Sequence, residues 1–489
     1  MRRAADALRS FPIPLALLLA VAAVVAASWN ISTAPLQGPD EPEHAAYVQH
    51  LAETGKLPKP SGSGDPLAPD VEQARAILGL SALVQNSAAR PDWSQARRNA
   101  LHQFEENLPQ GARGNGGSGL STGKNPPLYY AAGAAAWKLT PGGSILGHLF
   151  VLRIVSGVFL LVAVAAAWLL AGEIFQRALP RMLCASVVAL LPIVGFMAGV
   201  AGPETASLAA WTIFLWLALR MVRTGPSASA AALTALAATA AVLVHGRNLA
   251  IVPVLAITLV VAWVANRSRP RQIAAGIAAS GAVTLAGAAV FRLVTASSGG
   301  SVYGGETNLG NTAAFNIRQL ASSIWQFYLP RLASMQPRLG PPIGFRQVFI
   351  EQFLGGTFAS NEVYMPYWVY DLAQVCLVLL LVAFYTVVVL RWRGIIERWP
   401  AAVIVGSAAL CLLLFLHVAS YRALVNGGDN PLITGRYLLP LAAPLGLIVA
   451  TVSSSLPKRA GATFAGMVVG GLFCLELSAI FLSLERFYA

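Results

Sequence analysis

The chain reads as long apolar runs separated by short polar punctuation. About eleven runs, at roughly 13–29, 148–172, 183–201, 205–222, 229–245, 249–265, 273–295, 370–390, 400–420, 437–455 and 461–482, approach the length of roughly 20 apolar residues that a helix needs to cross a hydrocarbon core. The first follows Arg2, Arg3 and Arg9, as in a secretory leader, but no clear small-residue cleavage site comes after it. It is therefore expected to be a membrane span, with Trp29 as an interfacial anchor. Two segments break the pattern, roughly 30–147 and 296–369, and both are too long to be simple connections. The first holds helix-like stretches around 70–85 and 91–107 and a glycine-rich piece at 111–123. The second is rich in rings: Trp325, Phe327, Tyr328, Phe345, Phe349, Phe353, Phe358, Tyr364, Tyr367 and Trp368. An aromatic belt explains most of these, and the two segments together predict a cap over the outer leaflet.

Composition agrees with that pattern. Of 489 residues, 56% are hydrophobic and 11% charged, against about 25% charged in an ordinary soluble domain. Such a chain has too little polar surface to cover itself in water, and a bilayer removes the difficulty. The net charge of +13 does not point to nucleic acid, because the basic residues form no single patch. They sit in short loops between apolar runs: Arg177 and Arg181; Arg220 and Arg223; Arg267, Arg269 and Arg271; Arg391, Arg393 and Arg398; Lys458 and Arg459. With the N-terminus cytoplasmic, all of these fall on the inner side, as the positive-inside rule requires. The short outer turns then carry few basic residues, mainly Arg247, Arg422 and Arg436. Cys184, Cys376, Cys411 and Cys474 lie in apolar runs without metal-ligand spacing and read as packing residues.

The most informative stretch begins Gly38-Pro39-Asp40-Glu41-Pro42-Glu43-His44 and ends Gly55-Lys56-Leu57-Pro58. Asp40 suits a helix cap, Pro42 a first turn, and Gly55 and Pro58 a stop. His44, Tyr47, Val48 and Leu51 share a face, which predicts a helix lying along the bilayer surface. Asp40 and Glu41 are then held at its N-terminus, where the helix dipole favours their ionised form. Two adjacent carboxylates beside a histidine exceed what capping needs, and Asp40 is a candidate general base.

An acidic pair in the first outer loop, followed by a short helix ending in Gly-Lys-Leu-Pro, resembles the GT-C superfamily of membrane glycosyltransferases, which includes the protein O-mannosyltransferases and the lipid A aminoarabinose transferase. Asn125-Pro126-Pro127-Leu128-Tyr129-Tyr130 and Gly435-Arg436-Tyr437-Leu438-Leu439-Pro440 resemble two further segments of that group. The resemblance implies an all-α polytopic fold. Residues 1–295 would form a seven-helix module that includes the loop 30–147, residues 296–369 a second cap, and residues 370–489 the remaining spans. It also implies an inverting transfer of a sugar from a polyprenyl-phosphate donor to a glycan, lipid or protein acceptor. In that scheme Asp40 is the base, with Glu41 as its support or as a metal ligand. Arg247, Arg436 and Lys124 are candidates to hold the donor phosphate. His44, Tyr129, Tyr130, Glu204, His245 and Tyr437 are candidates to contact substrate. A divalent cation is compatible with this scheme, but no complete ligand set stands in the sequence. Two departures from the group are Gly202-Pro203-Glu204-Thr205, where many members carry an Asn-Asp pair, and Arg247, where a lysine often stands. Rival readings are a lipid-linked glycan transporter or flippase, an outer-face ligase or polymerase using a diphosphate-linked donor, and a non-catalytic assembly partner. Glu476, inside the last run, is expected to reach water near the outer end.

Overall fold

The computed structural model describes residues 12–59, 67–83, 86, 88–108, 117, 119–140, 143–295, 315–335, 343–359, 361–425 and 433–489. Part of the glycine-rich piece, 111–116 and 118, lies outside the described residues. The chain is a helical bundle. Its only sheet among the described residues is one antiparallel pair, β1 (Thr357–Phe358) and β2 (Val363–Tyr364), in which Thr357 faces Tyr364 and Phe358 faces Val363.

Nine helical segments among the described residues are long and apolar enough to cross a membrane. Seven are single helices: α1 (Ile13–Ser32), α6 (Ile145–Gly172), α9 (Glu204–Thr224), α12 (Pro270–Thr295), α14 (Tyr367–Leu390), α16 (Trp399–Val425) and α18 (Lys458–Tyr488). Two start in 3-10 turns, Gly246–Ala250 and Gly435–Leu441, and continue as α11 (Ile251–Ala265) and α17 (Ala442–Ser455). A tenth span is broken: α7 (Ala178–Leu190) and α8 (Pro192–Ala198) meet at a bend of 60°. Pro192 causes the break, since a residue preceding proline is driven out of the helical region, and Leu191 is extended at φ −72°, ψ 119°. The eleventh expected span is α10 (Ala228–Val244), which at 17 residues is shorter than the others. The expected count of eleven is thus not reached by length and composition alone.

Helix α6 packs along α1, α7 and α9, and α17 lies against α7, so these helices form the centre. Cys184 Sγ donates to Ala443 O across the α7–α17 contact at 3.7 Å, which small residues keep close. Cys376 and Cys474 are exposed on helix surfaces and only Cys184 is buried, so packing accounts for one cysteine fully and not for all four. Helix α14 lies at the periphery, with most of its apolar side chains exposed.

Shorter helices close one end of the bundle. These are α2 (Glu41–Thr54), α3 (Pro69–Ile77), α4 (Gln95–Glu106), α5 (Leu128–Lys138) and α13 (Ile317–Tyr328). A π-helical segment covers Arg346–Leu354, and a short helix, α15 (Trp392–Glu397), precedes α16. Three expectations are corrected here. The apolar face of helix α2 meets protein and not lipid: His44, Tyr47 and Val48 do share a buried face, and α2 packs on α5, with the Tyr47 and Tyr130 rings stacked at 3.7 Å. Trp29 is not an interfacial anchor: it is fully buried against Phe196 and Phe358. Glu476 does not reach water: its side chain is buried and accepts a hydrogen bond from Trp29 Nε1. The rings of the second long segment divide between roles. Phe327, Phe353 and Phe358 are core residues, whereas Tyr364, Tyr367 and Trp368 are exposed as a belt would be.

Candidate active site

Four chain reversals converge at the closed end: residues 33–41, 199–204, 245–250 and 434–441. Each joins or opens a helix, so each brings polar side chains to a helix end.

Asp40 precedes α2 in the left-handed region, at φ 54° and ψ 13°. Aspartate tolerates that region better than most residues. In this pose its side chain makes no cap bond to α2. The carboxylate turns outward and Oδ2 accepts from Arg436 Nη2 at 2.6 Å. The Asp40 side chain is 52% exposed and that of Arg436 15%, so the pair sits on the rim of the site. Burial pushes the Asp40 carboxyl up, but Arg436, His44 and Arg247 outweigh it and hold its pKa below the usual carboxylate value.

Glu41, one residue on, points the other way. It is fully buried and forms a two-pronged pair with Arg153 of α6, with Nε to Oε1 and Nη2 to Oε2 both at 2.7 Å. Its oxygens also accept from the backbone N–H of Gly38 (3.2 Å) and Ala201 (2.9 Å). Arg153 spends its remaining donors on the carbonyls of Asn30, Thr33 and Ala34, at 2.7 to 3.0 Å. Glu41 therefore fixes the reversal that carries Asp40. Gly38 is required there, since a Cβ would lie 2.3 Å from a methyl of Val200. Arg153 was not singled out from sequence, although an arginine within an apolar run is a signal in its own right.

Glu204 opens α9 and pairs with Arg247 Nη2 at 3.1 Å, with both side chains almost fully buried. The Arg247 guanidinium carbon lies 3.9 Å from the centre of the Tyr437 ring, and that of Arg436 lies 5.1 Å from it. One ring thus contacts two cations. Each arginine retains a buried Nη1 with no hydrogen-bond partner among the described residues, and so does Oε2 of Glu204. Arg436 is placed by the π-helical segment. Gln352 Oε1 accepts from the N–H of Gly435 at 2.7 Å, and a Cβ on Gly435 would lie 2.4 Å from that of Gln352.

His44, on α2, is buried, and its Nδ1 lies 2.9 Å from the Tyr130 hydroxyl. Burial lowers its pKa against the opposing pull of Glu204 and Asp40, so the imidazole is neutral at pH 7. Tyr130 also accepts from Asn125 Nδ2 at 2.9 Å, and Tyr129 shares a hydrogen bond with Ser156 at 3.0 Å. His245 is buried and its Nδ1 accepts from the backbone N–H of Arg247 at 3.3 Å. Asp40, His44, Glu204, His245, Arg247, Arg436 and Tyr437 thus belong to one cluster, with Tyr129 and Tyr130 behind it. Lys124 is partly exposed at the end of the Ser121–Lys124 turn, and no ion pair or hydrogen bond joins its side chain to the cluster among the described residues. Also among the described residues, no group of three or more His, Cys, Asp or Glu side chains is placed to hold a metal ion.

The interval 23–445, which holds every residue of this cluster, matches the family described as Predicted membrane protein (DUF2142). The chain belongs to this family. No curated protein matches this family member. Its fold is similar to that of ArnT from Cupriavidus metallidurans, whose crystal structure holds undecaprenyl phosphate: the TM-score is 0.50 at 15% identity, covering 93% of this chain and 63% of ArnT. AglB, the archaeal oligosaccharyltransferase from Archaeoglobus fulgidus, solved with an inhibitory peptide and a dolichol-phosphate, gives a TM-score of 0.46 at 12% identity, covering 96% of this chain and 55% of AglB. The chain thus spans less than two thirds of the length of either. The likeness to ArnT shows that this DUF2142 chain has a GT-C type of fold.

Proposed function

We propose that this protein is an inverting glycosyltransferase. It takes a sugar from a polyprenyl-phosphate donor and passes it to a hydroxyl of a cell-envelope glycan, lipid or protein on the non-cytoplasmic face. The observation that carries the reading is the pair of buried Nη1 groups of Arg247 and Arg436, unpartnered among the described residues and held against one tyrosine beside a rim carboxylate. A buried guanidinium N–H without an acceptor is costly, and a phosphate oxygen is the acceptor that its planar fork suits best.

Charge favours one phosphate over two. Asp40, Glu204, Arg247 and Arg436 sum to zero with both histidines neutral. A sugar-phosphate diester brings a single negative charge, while a diphosphate brings a second with no further cation among these residues to meet it. In the reaction the acceptor oxygen bonds to the anomeric carbon, the bond from that carbon to the phosphate oxygen breaks, and the acceptor proton passes to Asp40. Negative charge then grows on the lipid phosphate, where the two arginines offset it. Glu41 is assigned to holding Asp40, not to proton transfer.

The basic loop residues support the orientation. Arg269 reaches Thr224 O and Arg391 reaches Ser455 O, at the helix ends opposite those that carry the cluster. By the positive-inside rule that basic end is cytoplasmic and the cluster faces outward. The broken α7–α8 span is the one feature that favours a transporter, since transporters bind substrate at discontinuous helices. The concentration of ionisable groups at one end of the bundle favours the enzyme.

The test is binding of undecaprenyl phosphate to purified protein in nanodiscs. Arg247→Met and Arg436→Met are each expected to weaken it at least about tenfold, the scale of one charge-assisted hydrogen bond. Arg436→Lys should recover only part, because a point charge replaces a directed fork. Parental affinity in both methionine variants would reduce the arginines to structural ion-pair partners and remove the phosphate site.

A further inference from the structure

Tyr130 is fully buried and its hydroxyl has two neighbours, Asn125 Nδ2 and His44 Nδ1, each at 2.9 Å. An amide nitrogen only donates. The Tyr130 oxygen therefore accepts from Asn125, and among the described residues the hydroxyl proton has one acceptor within reach, His44 Nδ1. The alternative puts the proton on Nδ1. Tyr130 would then accept twice, and its own proton would be buried without an acceptor, a state disfavoured more than about tenfold. The main chain of Asn125 is held beside Tyr130, because its backbone carbonyl accepts from the Tyr47 hydroxyl at 3.2 Å and the Tyr47 ring stacks on that of Tyr130.

The opposite edge of the His44 ring faces the cluster. A Cβ placed on Gly202 would lie 3.5 Å from His44 Cδ2, the carbon next to Nε2, and 2.5 Å from Glu204 Oε2. No protein hydrogen bond engages Nε2 among the described residues.

We infer that Asn125 and Tyr130 are positioning residues that lock neutral His44 as its Nε2–H tautomer, so that His44 offers the ligand a hydrogen-bond donor and not a base. This deepens the transferase reading: it removes His44 as a rival to Asp40 for the acceptor's proton and gives His44 an oxygen of the bound sugar phosphate to hold. It also gives Asn125-Pro126-Pro127-Leu128-Tyr129-Tyr130 a chemical role, with Asn125 and Tyr130 as the working ends of the segment.

The test reads the tautomer directly. The full chain, labelled with ¹⁵N-histidine in lipid bilayers near pH 7.5, has six histidines. The His44 signals are assigned by their loss in His44→Gln. The parent should show a protonated Nε2 and a bare Nδ1. Asn125→Asp turns the donor into an acceptor: the Tyr130 proton then goes to Asp, and the His44 proton should move to Nδ1. In Tyr130→Phe neither tautomer is held, and a mixture is expected. A protonated Nδ1 in the parent overturns the inference without any variant. A parental Nε2–H tautomer retained in folded Asn125→Asp overturns the role of Asn125. Since no donor is present, failure here is separate from failure of the phosphate site, which is read by undecaprenyl phosphate binding. In that assay Asn125→Asp should weaken binding at least about threefold, less than a methionine in place of either arginine, because it reverses one hydrogen bond and removes no cation. Unchanged binding with the tautomer moved would detach His44 from the ligand.

Discussion

Asp40 and Glu41 are neighbours in opposite environments, and one backbone angle separates them. The left-handed turn at Asp40 sends its carboxylate to the rim, while Glu41 enters the protein and meets Arg153. The expected consequence is a split between two isosteric variants. Asp40→Asn should fold normally and lose at least about a hundredfold in transfer rate, the lower range for a general base. Near-parental single-turnover rates for it in lipid would return Asp40 to a surface ion-pair residue. The shifts at Asp40 and His44 share a sign. Both pKa values are lower folded than unfolded, so the unfolded chain takes up protons first and stability falls with acid: below about pH 6.5 for His44 and below about pH 4 for Asp40. Neither group changes charge between about pH 7 and 9, and transfer should lack any break there from these two. A kcat/KM break near pH 6.5 that disappears in His44→Gln would show that His44 ionises during the proposed transfer. Sequence alone pointed to Asp40 and both arginines because each stood where ordinary patterning did not need it. It did not show that Arg436 reaches Asp40 across 396 residues of chain, nor that Glu41 is spent on Arg153. Such pairings depend on which helix ends meet.

Among the elements, the 434–441 turn shows how a loop far in sequence sets a side chain of the candidate site. Gly435 lies against the π-helical segment at Gln352 so closely that no side chain fits. Gly435→Ala must push Arg436 out of place. It is expected to reduce transfer at least about tenfold while the protein still inserts, since about 1.4 kcal/mol of lost alignment is enough. Gln352→Ala removes one hydrogen bond and should act the same way more weakly. Parental kcat in Gly435→Ala would mean that the turn has room the geometry does not show. The apolar runs, α3, α4 and the start and stop of α2 were legible because they rest on local rules of period, glycine and proline, whereas α5 at Leu128–Lys138 was read only as a motif. The α7–α8 break was not separated from a straight span at 183–201, although Pro192 stands at its hinge. The burial of α2 was misread because a helix with one apolar face looks alike whether lipid or another helix covers it.

At the scale of the molecule, every group of the cluster lies at one end of the bundle and the basic loops at the other. With all native cysteines replaced, a cysteine at Lys56 should react with an impermeant thiol reagent in intact cells, and one at Ser268 only after lysis. The reverse labelling would place the cluster in the cytoplasm and end the case for an outer-face transferase. Arg153 has a further consequence for how the molecule is made. It lies in the N-terminal third of α6, and an arginine in a span costs up to about 2.5–3.5 kcal/mol on insertion, the value reached at the centre. Its partners are Glu41 and the carbonyls of Asn30, Thr33 and Ala34, all synthesised about a hundred residues earlier. When α6 leaves the ribosome, α1 and the acidic reversal are already waiting. The same pair that aims Asp40 is therefore expected to act as an assembly checkpoint, with α6 settling against a correctly placed first segment. Glu41→Gln leaves Arg153 buried without its counter-charge, a loss of about 3–5 kcal/mol. That variant should lower the yield of full-length protein and leave α6 open to membrane proteases before any effect on sugar transfer is measured. Normal accumulation and protease resistance would show that α6 inserts without help from the segment before it.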